Sequence, residues 1–278
     1  MTVMRRRIED WTGAYTNGAN IAGGDRWPAA WVEPARSLRA DLAKSGRAKL
    51  DIAYGGGPRN RFDLFLPEGA VHGLVVYVHG GYWLHMDNSF GSHLADGALA
   101  QGYAVAMPTY TLCPDIRIAG IVEEVGAAIT AAAGMVAGPM MLTGHSAGGH
   151  LVSRMVSQPS PLAPAVRERI RHVLSISGLH DLRPLMGAAM NGTLHIDEAE
   201  ATAESPALLR PMDGARVTCW VGGGERSEFI RQSALLANIW TGLGADTALV
   251  VEPDRHHFNV IDGLAEADHP LTRCLLGT

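Results

Sequence analysis

The chain has 278 residues, 47% of them hydrophobic, so it can bury a large core, and we expect one domain spanning residues 1–278. Its net charge of −5, from 23 basic and 28 acidic side chains without a basic block, argues against a nucleic-acid partner. The three cysteines, Cys113, Cys219 and Cys274, lack metal-type spacing and suggest neither a disulfide framework nor a zinc site, which fits a reducing cytoplasm.

The N-terminal segment, residues 1–48, reads as a helical, cap-like element with three tryptophans. Its opening, MTVMRRRIEDW, has arginines but no apolar stretch behind them, so we expect no secretory leader. No uninterrupted apolar run approaches the roughly 20 residues that span a bilayer, so we expect a cytoplasmic protein without a membrane partner. The sequence leaves open whether this segment covers the active-site cleft as a lid or packs against a sheet edge.

Short β-rich runs then alternate with longer helical patterns. The stretch KLDIAYGGGPRNRFDLFLP predicts an antiparallel hairpin. Helical stripes follow at Ile118–Ile129 and in SEFIRQSALLANIW, between apolar runs typical of strands covered on both faces. This alternation predicts an α/β fold with a mostly parallel central sheet, an antiparallel N-terminal hairpin and helices on both faces. The predicted strands are GLVVYV, YAVAMP, PMMLTG, HVLSIS, VTCWVG and TALVVE.

A G-x-S-x-G pattern follows the strand PMMLTG, at Gly144-His145-Ser146-Ala147-Gly148. In this pattern the serine sits on a tight strand-to-helix turn, and a Cβ at either glycine would collide with a neighbouring strand or helix. The turn lifts the serine Oγ into a cleft beside a helix N-terminus, which favours negative charge. The sequence therefore predicts Ser146 as a nucleophile, whereas a dinucleotide-binding loop would need G-x-G-x-x-G.

The motif HGGYW, residues 79–83, ends another predicted strand. Acyl transfer develops an oxyanion, which backbone N–H groups stabilise, and glycines let the backbone approach a substrate closely. We interpret the motif as an oxyanion loop whose donors come from Gly80, Gly81 or Tyr82, working with the N–H of Ala147. Tyr82 and Trp83, with Tyr110, are candidate walls for a substrate, although each could pack in the core.

The base and acid of a serine, acid, histidine order should follow the nucleophile along the chain. The segment EPDRHHFNVIDGL offers His257 as the base, with His256 as an alternative. Glu225, after VTCWVG, is the favoured acid, which would orient the imidazole. Asp181 and Asp254 are alternatives. The spacings of six and eight between His79, His85 and His93 do not favour a metal site, so no metal or other cofactor is expected.

Together, HGGYW, GHSAGGH, ERSEFIRQS and HHFNVI resemble the kynurenine formamidase (arylformamidase) branch of the α/β-hydrolases and the nearby bacterial carboxylesterases, over roughly residues 50–265. The resemblance implies Ser146 as nucleophile, His257 as base and the HGGYW loop as oxyanion hole. Many relatives place an aspartate near Glu225, and Tyr82 replaces the third glycine of the esterase form H-G-G-G.

The function expected from the resemblance is serine hydrolysis of a small acyl amide or ester through an acyl-serine intermediate, most specifically the hydrolysis of N-formylkynurenine or another aryl formamide. A promiscuous short-chain carboxylesterase is the alternative, and a catalytically silent binding protein with this fold is a more remote one. The expected partner is a small-molecule acyl substrate, and a homodimer is possible.

Overall fold

Ten strands and ten helices form in the computed structural model, which describes residues 7–278. The first six residues of the predicted N-terminal segment lie outside this range. The strands are β1 (Ala48–Ala53), β2 (Arg61–Phe65), β3 (Gly73–Val78), β4 (Tyr103–Pro108), β5 (Met140–His145), β6 (Ser157–Gln158), β7 (Ile170–Ile176), β8 (Arg210–Pro211), β9 (Arg216–Gly222) and β10 (Asp246–Glu252). The helices are α1 (Trp11–Tyr15), α2 (Trp27–Lys44), α3 (Asp96–Ala100), α4 (Ile118–Met135), α5 (Ala147–Met155), α6 (Pro164–Arg167), α7 (Asn191–Leu194), α8 (Glu198–Ala203), α9 (Ser227–Gly242) and α10 (Pro270–Leu276).

Eight strands make the central sheet, in the order β1-β2-β4-β3-β5-β7-β9-β10. The β1–β2 and β2–β4 pairs are antiparallel, and the pairs from β4 through β10 are parallel. The predicted hairpin and all six predicted central strands are confirmed. The carboxyl ends of β3, β5, β7, β9 and β10 therefore meet at one edge of the sheet, where the predicted motifs lie.

Alternate side chains of β3 pack into two different core layers, one on each face of the sheet. Leu74, Val76 and Val78 belong to a cluster with residues of α4, α5 and α9. Val75 and Tyr77 point to the other face and join a cluster with residues of α2, α3 and α10. Every residue of β3 is buried. The strand therefore has no polar face, as is typical of parallel strands that lie between two helical layers.

The predicted apolar stripe of α4 is buried, with Ile121, Val125 and Ile129 against the first cluster. By length and composition this 18-residue helix could cross a membrane, and within the described residues it is the one helix that could. Half of it is buried inside the structure, and it serves there as a core helix.

The N-terminal segment contacts both faces of the molecule. On one side, the Tyr15 hydroxyl donates to Glu228 on α9 at 2.8 Å, and the Tyr15 ring packs edge-on against Phe229. On the other side, Trp31 and Leu42 of α2 lie in the second core cluster. The chain between α1 and α2 thus passes from one helical layer to the other.

Candidate active site

Ser146 joins β5 to α5 in a backbone conformation that few residues adopt, with φ +56° and ψ −115°. Its N–H donates to the Ile176 carbonyl at 2.8 Å, which holds the turn against β7. A Cβ at Gly144 would lie 2.4 Å from the carbonyl oxygen of Gly148, and one at Gly148 would lie 1.9 Å from that of Val78. Both glycines are therefore required by the close packing that strains the serine.

His257 follows β10 and meets Glu225, which follows β9. The His257 Nδ1 lies 2.6 Å from Glu225 Oε2, and both side chains are buried. A carboxylate can only accept, so Nδ1 carries the proton and Nε2 is left with a lone pair. Phe229 packs on the His257 ring with centroids 4.4 Å apart, which restricts its rotation.

The second carboxylate oxygen of Glu225 accepts two further hydrogen bonds. Ser177 Oγ donates to Oε1 at 2.5 Å, and the Gly222 N–H donates to the same oxygen at 2.8 Å. Ser177 itself has a φ of +51° at the end of β7. Sequence reasoning missed this serine, although its place directly after a parallel strand was a usable signal.

The alternative acids and base have other partners. Asp181 forms two 2.9 Å hydrogen bonds with the guanidinium of Arg183, and Asp254 is exposed in the turn before the histidines. The His256 ring accepts the N–H groups of Phe258 and Asn259 through Nδ1, at 3.2 and 3.3 Å. His256 thus stabilises the loop that carries its neighbour.

The HGGYW loop lies directly beside the serine. A Cβ at Gly80 would come 2.8 Å from the His145 carbonyl and 3.2 Å from the Ser146 Cβ. Gly81 has a φ of +98°, and Tyr82 and Trp83 continue the left-handed turn at +56° and +59°. Tyr82 therefore takes, at some conformational cost, a conformation that glycine adopts freely.

Tyr82 and Trp83, both predicted as substrate walls, lie in different surroundings. Tyr82 lines the pocket of Ser146, as a substrate wall would. The prediction that Trp83 forms such a wall is wrong, because Trp83 is fully buried in the core and packs edge-on against His150. Tyr110 is also a core residue, stacked on the His79 ring with centroids 4.3 Å apart.

A pocket of about 450 Å³ contains Ser146 and His257. Its walls are mainly apolar, from Met86, Phe90 and Phe258, and its remaining wall comes from the N-terminal segment. Met86 and Phe90 gave no signal in the sequence, because segments without periodicity do not indicate long-range contacts. Whether the N-terminal segment covers the cleft was left open by the sequence, and its residues line the pocket. The contributions of the N-terminal segment are Gly18, Gly24, Asp25, Pro28 and Trp31.

Two buried histidines near this pocket have lowered pKa values. Burial lowers the pKa of His79 to about 4 and holds the pKa of His145 well below its usual range. The His145 ring lies 4.5 Å from that of His257 and, being uncharged, does not oppose a positive charge there. Throughout residues 7–278, His, Cys, Asp and Glu side chains form no group of three or more that could hold a metal ion.

Comparison with known proteins finds a matching family model, a relative by sequence and relatives by structure. The BD-FAE family model matches residues 62–187. A kynurenine formamidase of Salmo salar is 27% identical over 255 residues, which are 88% of this chain and 84% of that protein. The esterase B of Lactobacillus Rhamnosis shares the fold, with a TM-score of 0.64 at 18% identity over 88% of this chain and 91% of that one.

A crystal structure of a provisionally named thioesterase from Silicibacter sp. TM1040 is more similar. It is 47% identical, has a TM-score of 0.90, and covers 95% of this chain and 98% of that one. The chain therefore belongs to the α/β-hydrolase family, in which it resembles kynurenine formamidases and carboxylesterases.

Proposed function

We propose that this protein is a serine hydrolase that cleaves a small acyl group, in the first place formyl, from an aryl amide through an acyl-serine intermediate. The observation that carries the proposal is the 2.6 Å contact of Glu225 with His257, which lines the same pocket as the strained Ser146. The 27% identity to a kynurenine formamidase supports N-formylkynurenine as the substrate.

In the proposed mechanism, His257 Nε2 takes the Ser146 proton while Oγ forms a bond to the acyl carbon. The N–H groups of the HGGYW loop and of Ala147 hold the oxyanion. His257 then gives its proton to the departing amine as the bond from carbon to nitrogen breaks. Water, deprotonated by the same imidazole, releases the acyl group as a carboxylic acid and restores Ser146.

The shape of the pocket supports an aromatic leaving group. Its mainly apolar walls and volume of about 450 Å³ suit an aromatic ring, with Phe90 and Phe258 available for contact. Short-chain carboxylester hydrolysis is the second candidate, since it needs the same machinery and the fold is shared with esterase B. The name of the relative at 47% identity adds a thioester to the substrates worth testing.

The test is a comparison of kcat/KM for N-formylkynurenine, 4-nitrophenyl acetate and S-phenyl thioacetate. The proposal expects the formamide to be turned over with the highest kcat/KM, and Ser146→Ala to abolish turnover of all three. Ser153→Ala is the matched control, because its hydroxyl donates within α5 to the Gly149 carbonyl at 2.8 Å. Turnover of the ester or thioester alone would reject the formamidase assignment, and activity that survives in Ser146→Ala would reject the mechanism.

A further inference from the structure

The outer edge of β10 is open to solvent. β10 is the last strand of the central sheet, and within residues 7–278 it pairs with β9 alone. Two exposed large apolar side chains lie on this strand, Leu249 with 41% and Val251 with 43% of its surface accessible. Single exposed apolar residues are common, whereas two of them on an unpaired strand edge mark a candidate contact surface.

The backbone of β10 has unpaired hydrogen-bonding groups along this edge. The Asp246 N–H donates to the Ala215 carbonyl at 3.0 Å, so the backbone groups of Asp246, and of every second residue after it, face β9. Because the direction alternates along a strand, the N–H and C=O groups of Thr247, Leu249 and Val251 point away from the sheet. Each of these three residues therefore offers one donor and one acceptor at the outer edge.

The same three residues have the spacing that pairs with itself. In an antiparallel pair, residues whose backbone groups face the partner strand lie opposite one another. A two-fold axis at Leu249 places this residue opposite Leu249 of a second copy, and it places Thr247 opposite Val251 of that copy. The apolar side chains then meet on one face of the joined sheet, the face that α9 covers, because Thr247 and Leu249 line a groove beside α9.

The groove between β10 and α9 adds contact area to the strand edge. It has a volume of about 590 Å³, and Ala234, Leu235 and Asn238 of α9 form part of its wall. A stable interface needs about 800 Å² from each partner, which is more than one pair of strands buries. Since the two-fold axis brings α9 of both copies to the same face, the helices supply the additional area.

The opposite edge of the sheet is protected against such pairing. The register of β1 shifts between Lys49 and Ile52, and Asp51 there has a φ of +54°. A bulge and charged side chains on an edge strand prevent it from pairing with another chain. β10 follows β9 without a register shift, and its charged residues stand only at its two ends, Asp246 and Glu252.

The two charged ends of β10 are compatible with a second copy. Asp246 comes to lie opposite Glu252 of that copy, and each carboxylate has an arginine of its own chain beside it. Arg216 lies 3.5 Å from Asp246, and Arg255 lies 3.1 Å from Glu252. The four groups together carry no net charge, so they do not oppose the contact.

We propose that the outer edge of β10 and the groove beside α9 form a dimer interface, in which a second copy of the chain pairs antiparallel about Leu249 and the central sheet continues through both protomers. The pairing covers the open edge of each copy and leaves only the protected β1 edges, so assembly stops at two chains. The dimer is independent of the proposed hydrolase function, because Ser146, Glu225 and His257 belong to one chain.

The first experiment measures the mass in solution by sedimentation equilibrium. The wild type should be mostly dimeric at about 50 μM, as a dissociation constant in the micromolar range requires. Leu249→Lys should raise the dissociation constant about 100-fold or more, because the two-fold axis brings the two introduced ammonium groups together.

Leu50→Lys is the matched control, since Leu50 has a similar exposure of 37% and lies on β1, the edge strand at the other end of the sheet. Its dissociation constant should equal that of the wild type. A wild type that is monomeric at about 50 μM, or a dimer that Leu249→Lys weakens no more than Leu50→Lys does, would overturn the proposal.

The second experiment tests the register by charge exchange, since Thr247 lies opposite Val251 of the second copy. Thr247→Lys combined with Val251→Glu places opposite charges across the interface at both of these pairs, whereas Thr247→Lys combined with Val251→Lys places like charges there. The dissociation constant of the second double variant should exceed that of the first about tenfold or more. Equal dissociation constants, or monomers in both cases, would overturn the antiparallel pairing about Leu249.

Discussion

Among single residues, Glu225 is the one on which the geometry of the candidate site most depends. Its two oxygens contact three groups, which lie on the loop after β7, at the end of β9 and on the loop after β10. A glutamate reaches His257 here because Ser177 and Gly222 fix the near oxygen while the far oxygen faces the imidazole. The glutamate side chain thus bridges the loop that follows β7 and the loop that carries His257.

Glu225→Gln should lower kcat by roughly 100- to 10,000-fold, because the amide no longer stabilises the imidazolium or fixes its tautomer. The glutamine oxygen can still accept from Ser177 and Gly222, so the fold should be retained. Steady-state kinetics on the best substrate, with circular dichroism and thermal unfolding, check both expectations.

Asp181→Asn is the matched control, because it removes a buried carboxylate whose partner is Arg183. Its kcat should stay within about threefold of the wild type, as the loss of this pair is a small structural change. A large loss in Asp181→Asn with little loss in Glu225→Gln would reverse the assignment of the acid.

Among the structural elements, the sheet could be predicted from the sequence, whereas for the N-terminal segment only the helical character could be predicted and not its position at the pocket. Parallel strands covered on both faces need unbroken apolar runs, and such runs can be recognised directly in the sequence. The N-terminal segment covers the pocket through contacts such as that of Tyr15 with Tyr82, which lies 67 residues further along the chain. Nothing local in the sequence encodes such a pairing.

At the site, the side-chain directions in the turn at residues 81–83 could not be predicted from the sequence either. Glycine content predicts a tight loop, but whether Tyr82 or Trp83 faces the pocket depends on consecutive left-handed conformations. A regular strand alternates its side chains, whereas this turn has no fixed period. The structure was therefore needed to assign Tyr82 to the pocket and Trp83 to the core.

Tyr82→Phe should loosen the N-terminal segment. The Tyr82 hydroxyl donates to the Tyr15 carbonyl at 2.8 Å and accepts from Asn17 Nδ2 and the Asn17 N–H at 2.9 and 3.3 Å, so its loss leaves three groups unpaired, at a cost of about 1–3 kcal/mol. Hydrogen exchange of residues 16–26 should accelerate, and KM should rise because this segment forms a wall of the pocket.

Tyr54→Phe provides the comparison, since it also removes a hydroxyl that donates to a backbone carbonyl, that of Thr109, at 2.7 Å. Exchange in residues 16–26 should be unchanged in this variant. Equal exchange of that segment in the two variants would show that Tyr82 does not hold it.

For the molecule as a whole, the buried histidines should make stability depend on pH. Burial lowers the pKa of His79 to about 4 and those of His150 and His180 to about 3, and it holds the pKa of His145 well below its usual range. Between pH 6.5 and 4 the unfolded chain binds protons at these sites that the folded chain does not. The free energy of unfolding therefore falls as the pH falls.

Two carboxyls oppose this trend. Burial raises the pKa values of Asp63 and Asp262 to about 6, so the folded state binds their protons first and gains stability as the pH falls through 6. Asp96 is a third carboxyl with a raised pKa, and His93, His172 and His256 also have lowered pKa values. Because the histidines outnumber the carboxyls, more protons bind to the unfolded chain than to the folded one, and the free energy of unfolding falls as the pH falls below 6.5.

Urea unfolding at pH 8, 6 and 5 measures this slope, and His150→Gln isolates one contributor. The amide can still donate to the Glu204 carbonyl, which lies 2.7 Å from His150 Nε2, but it does not titrate. The slope between pH 6 and 5 should shrink by about 1.4 kcal/mol per pH unit, whatever the stability of the variant at pH 8. A wild-type protein equally stable at pH 8 and pH 5 would mean that the buried imidazoles accept protons without unfolding.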